Sequence, residues 1–236
     1  MKKALVTGAN RSIGLEVARQ LSGLGYFVYL GCRDLSKGRA AAEGLSNVEA
    51  LQIDTADPAS IAAARAQVDS LDVLINNAGI SGGFPQPPDA TPVATIRTVF
   101  DTNFFGVIET TLAFLDLLRQ SPEPRIVQVT SGLASLTLHS DPASPFYHFK
   151  SGAYGPSKTA LNGHTVALAY ALRDTPFKVN AVDPGYTATE FNHFRGPGSI
   201  ERAAAIIVKY ATIDADGPTG KFFSNDYQDE ISECPW

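Results

Sequence analysis

The sequence predicts a doubly wound α/β fold: a seven-stranded parallel sheet with helices on both faces, in a single domain spanning residues 1–236. Short apolar runs rich in Val and Ile recur at Lys3–Gly8, Phe27–Cys32, Val48–Asp54, Val73–Asn76, Arg125–Thr130, Phe177–Asp183 and Gly220–Ser224. Between them lie segments with apolar residues at helical spacing, and that alternation packs as a parallel sheet joined by right-handed crossovers. Length and composition agree: 236 residues, 44% hydrophobic and 18% charged, suffice for one well-buried core and are short for two. No internal repeat, low-complexity tract or linker-like stretch divides the chain.

The first strand ends in Thr7-Gly8-Ala9-Asn10-Arg11-Ser12-Ile13-Gly14, and a helical pattern of Ile13, Val17, Leu21 and Leu24 follows at once. A glycine-bearing turn between strand and helix brings backbone N–H groups and the positive helix end up to a phosphate, so Gly8, Asn10, Arg11, Ser12, Ile13 and Gly14 are candidate phosphate contacts. The second strand runs into Arg33-Asp34, where a dinucleotide fold meets the adenosine ribose. A cation there, with Arg11 as a second, suits a 2′-phosphate and points to NADP(H); the competing reading pairs Arg33 with Asp34 or another surface acid. Asp54 closes the third strand, either to accept from an adenine amine or to cap a helix with Thr55 and Asp57. The fourth strand leads into Asn76-Asn77-Ala78-Gly79, small and polar, able to tie neighbouring strands and face a ligand.

Thr95–Leu118 and Gly155–Leu172 carry apolar residues on more than one face, which suits helices packed on the sheet and on a second subunit. The second of these is headed by Tyr154-Gly155-Pro156-Ser157-Lys158. Proline is tolerated only in a first helical turn, so Tyr154 sits at or just before the helix start. The phenol and the Lys158 ammonium then share a face one turn apart, and a fixed cation favours the phenolate. Pro/Gly-rich pieces at Gly82–Pro92 and Gly196–Ser199 read as loops over one edge, and Pro184-Gly185 is a turn signal.

Net charge is −5 and no long run of Lys or Arg occurs, so neither nucleic acid nor an anionic membrane is an expected partner; a small molecule is. No stretch is long and apolar enough to span a bilayer, and the start Met1-Lys2-Lys3 leads straight into the first strand, leaving no room for a signal peptide. Cys32 and Cys234 are far apart and lack metal-ligand spacing. A cytoplasmic, metal-free protein is the expectation.

With these pieces in place the chain resembles the short-chain dehydrogenase/reductase family, nearest to its NADPH-dependent carbonyl-reductase-like members, with a Rossmann-type fold. The resemblance covers nearly the whole chain: Thr7–Gly14, Asn76–Gly79, Asn103 with Gly106, Ser131 after a strand, Tyr154 with Lys158, and Pro184-Gly185 followed by Thr189. It implies a reversible reduction of a ketone or aldehyde by hydride transfer. Tyr154 would donate the proton, Ser131 would hold the carbonyl oxygen, Lys158 would bind the nicotinamide ribose and lower the Tyr154 pKa, and Asn103 would support a water-linked relay to Lys158. Asn77, Ala78, Gly79, Pro184, Gly185, Thr187 and Thr189 would line the cofactor. It also implies a homodimer or homotetramer. Oxidation of a secondary alcohol and a non-catalytic NADP-binding regulator are the alternatives.

The chain departs from the family pattern twice. Ser12 stands where glycine is usual, tolerable at negative φ and strained otherwise. Ser131 and Tyr154 are 23 positions apart, farther than in many relatives, and the extra stretch Leu138–Lys150 is expected either to wall the substrate pocket or to alter subunit contacts. Loops 132–153 and 186–200 are the candidate substrate loops, with Gly196-Pro197-Gly198 as a lid hinge. The terminal Trp236 is expected to tuck against the body.

Overall fold

The computed structural model describes residues 1–227 and 231–236. The expected strands form within two residues of their predicted ends: β1 (Lys3–Val6), β2 (Phe27–Cys32), β3 (Val48–Gln52), β4 (Val73–Asn76), β5 (Arg125–Val129), β6 (Lys178–Asp183) and β7 (Phe222–Ser224). Their β-branched residues are buried from both sides, since alternate positions feed different cores: Ala4 and Val6 face one, Leu5 the other. The order is β3-β2-β1-β4-β5-β6-β7, with one further strand beyond β7. The eighth strand corrects the expected seven: β8 (Ser232–Glu233) pairs antiparallel with β7. Two residues carry no periodicity to read; the strand exists because β7 offers an open edge. Trp236 stacks on Phe222 at 5.6 Å between ring centroids, and its carbonyl accepts the Thr137 N–H.

The helices are α1 (Ser12–Gly23), α2 (Leu35–Ala42), α3 (Pro58–Arg65), α4 (Val93–Phe100), α5 (Gly106–Leu118), α6 (Leu136–Ser140), α7 (Tyr154–Ala171) and α8 (Ile200–Ala211). Residues of α1 and α8 pack in one core and those of α3, α5 and α7 in the other. Because the chain winds outward from β1 through β2 to β3 on one side and then crosses back to β4 on the other, the loops after β1 and β4 diverge at the carboxyl edge of the sheet, the place where such folds bind ligands.

The expected uninterrupted helix over Thr95–Leu118 is instead α4 and α5 joined by a π-turn at Asp101–Phe105. An extra residue in one turn rotates the side chains that follow, and Asn103 within it is fully buried. Gly106 directly after it abuts the Thr55 carbonyl so closely that a Cβ has no room.

Candidate active site

The glycine turn is clamped to the end of β4 by Thr7. Its Oγ1 accepts the N–H groups of Asn77 and Ala78, each at 3.0 Å, and Asn77 Nδ2 donates to the Thr7 carbonyl at 2.9 Å. Gly14 lies against Asn77 Nδ2 and the Gly8 carbonyl, both nearer than 2.8 Å to where a Cβ would stand, so only glycine lets α1 start this close to the strands. The Arg11 side chain makes no capping bond and the first turn of α1 holds no acidic residue. A positive helix end with no acidic residue in its own first turn fits a phosphate group. Ser12 has φ +50°, so the negative φ that would spare serine any strain does not occur.

At the end of β2 Asp34 caps α2, accepting the Ser36 and Lys37 N–H groups, and Arg33 is exposed, with no ion pair to Asp34 or to another acid among the described residues. Arg11 is not beside a phosphate position alone: its guanidinium pairs with Glu190 at 2.6 Å, tying the glycine loop to the 186–200 segment. The pair is exposed on both sides and costs little to open. Asp54 accepts the Ala56 N–H at 3.0 Å, while the cap of α3 is Asp57.

The four candidates for chemistry come together from three elements. Ser131 follows β5 and accepts the Leu133 N–H at 3.2 Å, which sets a tight turn at Gly132–Ala134. Tyr154 is the first residue of α7, as Pro156 in the first turn requires. Lys158, 4% exposed, donates to the Val129 carbonyl at the end of β5, at 2.8 Å. Asn103 Oδ1 accepts the Ile80 N–H at 2.8 Å, and its Nδ2 donates to the Ile80 carbonyl at 2.9 Å and to Ser157 Oγ at 3.1 Å. Gly79 leaves open the space between Asn103 and Lys158.

Charge and burial act against one another here. Burial pushes the Tyr154 phenol well above its ordinary value, the Asp183 carboxylate pushes it further, and the Ser131 hydroxyl opposes both. The expected lowering by Lys158 is therefore not the net direction: desolvation is the largest effect, and the ammonium is turned to the Val129 carbonyl. Burial also brings Lys158 down to about 8 and lifts Asp183 to about 6.

Pro184 and Gly185 follow β6. Gly185 has φ +84° and donates its N–H to Asp183 Oδ1 at 3.0 Å. Thr187 and Thr189 are buried, Thr187 Oγ1 donating to the Gly185 carbonyl. Gly198 is stitched back by its N–H to the Tyr186 carbonyl and by its carbonyl to the Ala188 N–H, so the expected hinge is closed onto the preceding loop. The 138–150 stretch packs downward: Leu138 and Phe146 join a small cluster with Ala181, Phe222 and Cys234, and Phe146 lies against Gly132 beside Ser131. Phe84 and Phe191 flank the Tyr154 ring at 6.4 and 5.4 Å between centroids.

Sequence reasoning passed over Asp183, Gln86 and Glu190. Asp183 had a signal, a charged residue closing an apolar strand at the ligand edge; Gln86 and Glu190 sit in irregular loops with none.

Comparison with known proteins places the chain. The family model for short chain dehydrogenase matches residues 2–198. The short-chain dehydrogenase anuI of Penicillium roqueforti is 35% identical, the alignment covering 98% of this chain and 96% of that one. The (+)-neomenthol dehydrogenase of Arabidopsis thaliana is 32% identical over 94% and 95%. The solved structure of salutaridine reductase from Papaver somniferum superposes with a TM-score of 0.80 at 29% identity, covering 94% of this chain and 99% of that one.

Proposed function

The chain belongs to the short-chain dehydrogenase family, and on that premise we propose that it is an NADP(H)-dependent oxidoreductase reducing a ketone or aldehyde to an alcohol, reversibly, with Tyr154 as proton donor. Oxidoreductase chemistry between a carbonyl and an alcohol is the family's business; the cofactor choice and the residue roles are the proposal. The observation that carries it is the convergence of Tyr154, Lys158, Ser131 and Asn103 at the same sheet edge as the uncapped start of α1.

Gly8, Asn10, Ser12, Ile13 and Gly14 would hold the pyrophosphate, Arg33 with Arg11 the 2′-phosphate, and Asp54 the adenine. Asn77, Ala78, Gly79, Tyr154, Lys158, Pro184, Gly185, Thr187 and Thr189 would hold the nicotinamide end. When bound, the dinucleotide supplies the hydride. Ser131 and Tyr154 donate hydrogen bonds to the substrate oxygen, where negative charge grows, and Tyr154 gives up its proton there. Tyr154 is protonated before hydride transfer, as a donor must be, and the alkoxide that hydride transfer creates is basic enough to take that proton. Lys158 and Asn103 complete the path by which the proton is replaced.

The whole chain then acts as one NADP-binding domain, with 132–153 and 186–200 as substrate loops. Exposed Phe105, Leu112, Val166 and Tyr170 on the π-turn, α5 and α7 favour a homodimer or homotetramer. Two free, buried cysteines suit the cytoplasm, and no helix among the described residues is long and apolar enough to cross a membrane. The test has two arms. NADPH should raise the melting temperature more than NADH at equal concentration. Tyr154→Phe should abolish NADPH consumption with benzaldehyde and cyclohexanone while keeping that thermal shift; turnover surviving in Tyr154→Phe would refute the assignment.

A further inference from the structure

The loop after β4 is sewn to the candidate active site at both ends. At its start, Ile80 exchanges both backbone hydrogen bonds with the Asn103 side chain. At its far end stands Gln86, 4% exposed between the exposed Pro85 and Pro87. Burying a long amide among exposed neighbours is costly unless every polar atom is matched, and here each is. Gln86 Oε1 accepts the Tyr154 N–H at 3.1 Å, Nε2 donates to the Ser81 carbonyl at 2.5 Å, and the Gln86 carbonyl accepts the Gly152 N–H at 2.8 Å.

These bonds fall where α7 lacks support of its own. Its N-cap is Ala153, which has no side chain to offer the free N–H groups of the first turn. Ser151 Oγ takes the Gly155 N–H at 2.8 Å, and the Tyr154 N–H goes across space to Gln86. Phe84, two residues before Gln86 and 55% exposed, meets the Tyr154 ring edge-on. One loop thus holds Tyr154 by its backbone and touches it by its ring.

We infer that Gln86 is a positioning residue for Tyr154: a detached N-cap of α7 that sets the start of the helix, and so the aim of the phenol, from within the loop that also presents Phe84 to the substrate side. The inference rests on Tyr154 being the proton donor. It divides the loop's labour. Phe84 meets the substrate and governs KM; Gln86 joins its own loop to the helix start and governs kcat.

The test compares Gln86→Leu, Gln86→Glu and Phe84→Ala in the full chain, with NADPH and benzaldehyde. Gln86→Leu keeps the volume and loses acceptor and donor; kcat should fall about five- to tenfold, the equivalent of one hydrogen bond, with the NADPH thermal shift retained. Phe84→Ala should raise KM and leave kcat within about twofold, as a contact made alike in ground and transition states does. Gln86→Glu guards against a folding defect. The protonated acid accepts and donates as the amide does, whereas the carboxylate is set against the Ser81 carbonyl, so kcat in this variant should recover toward wild type as pH falls. Lys158 on α7 and Asp183 at the end of β6, the charged groups by the phenol, are common to all variants, so each profile is read against wild type. Hydrogen exchange at the Tyr154 amide should quicken in Gln86→Leu, a readout independent of turnover. A kcat in Gln86→Leu within twofold of wild type, or a Gln86→Glu profile parallel to wild type, overturns the inference while leaving the oxidoreductase reading intact. A wild-type protein that turns over no carbonyl overturns that reading and this one with it.

Discussion

Replacing Asp183 by Asn tests how much free energy the site stores in one buried carboxylate. Asp183 is 4% exposed at the end of β6. It accepts from Ser224 Oγ at 2.7 Å and from the Gly185 N–H at 3.0 Å, and it also accepts the Gly132 N–H. Desolvation nevertheless wins, lifting its pKa from 3.8 to about 6, with the Asp226 charge adding to the rise. A carboxyl that keeps its proton longer in the folded chain than in the unfolded one favours folding below pH 3.8, and that contribution is lost as pH climbs through about 6. At 1.36 kcal/mol per pH unit the loss is about 3 kcal/mol. Asp183→Asn removes the titration and leaves every other carboxylate in place. The stability difference, variant minus wild type, should therefore grow by about 2.4 kcal/mol between pH 4 and pH 7, the remainder falling below pH 4, whatever its offset from the altered hydrogen bonds. Urea denaturation at half-unit pH steps measures it, since a slope near 3 kcal/mol/M makes that gain about 1 M in midpoint. Parallel curves for the two proteins would show that Asp183 titrates normally and that burial places no net penalty on its carboxylate.

Two further substitutions probe the glycine turn between β1 and α1. Ser12→Gly relieves a left-handed serine and should stabilise the fold by about 0.5–1 kcal/mol, raising Tm by about 1–3 °C and tightening NADPH binding; an unchanged or lower Tm, or weaker binding, would rule out strain at Ser12. Thr7→Val removes the acceptor shared by the Asn77 and Ala78 N–H groups. It should cost about 2–3 kcal/mol in chemical denaturation, and a loss under about 1 kcal/mol would mean that water replaces the hydroxyl.

Much of the molecule was legible in the chain because the governing signals are local. Each parallel strand is an apolar run bounded by turn residues, and burial on both faces makes such runs uniform, so β1 to β7 emerged within two residues of their predicted ends. Pro156 determined where α7 begins, and the helical repeat then placed Lys158 one turn from Tyr154. Gly8 and Gly14 announced a close turn between strand and helix. The family resemblance rested on the order of these local motifs.

What tertiary structure alone decided are quantities summed over residues distant in sequence. The π-turn buries Asn103 and is followed by Gly106, packed against the Thr55 carbonyl from far along the chain. The two-residue β8 depends on an edge left by β7. Arg11 turns to Glu190, and Tyr154 takes its helix cap from Gln86, because folding brings those loops together. The pKa of the phenol moved opposite to what the adjacent lysine suggests: spacing along a helix reveals which charge is near, but desolvation counts every atom that excludes water, and Asp183 arrives from another strand. Periodicity is a property of a segment and can be read from it; burial is a property of the assembled chain, and only the fold sets its sign at the site.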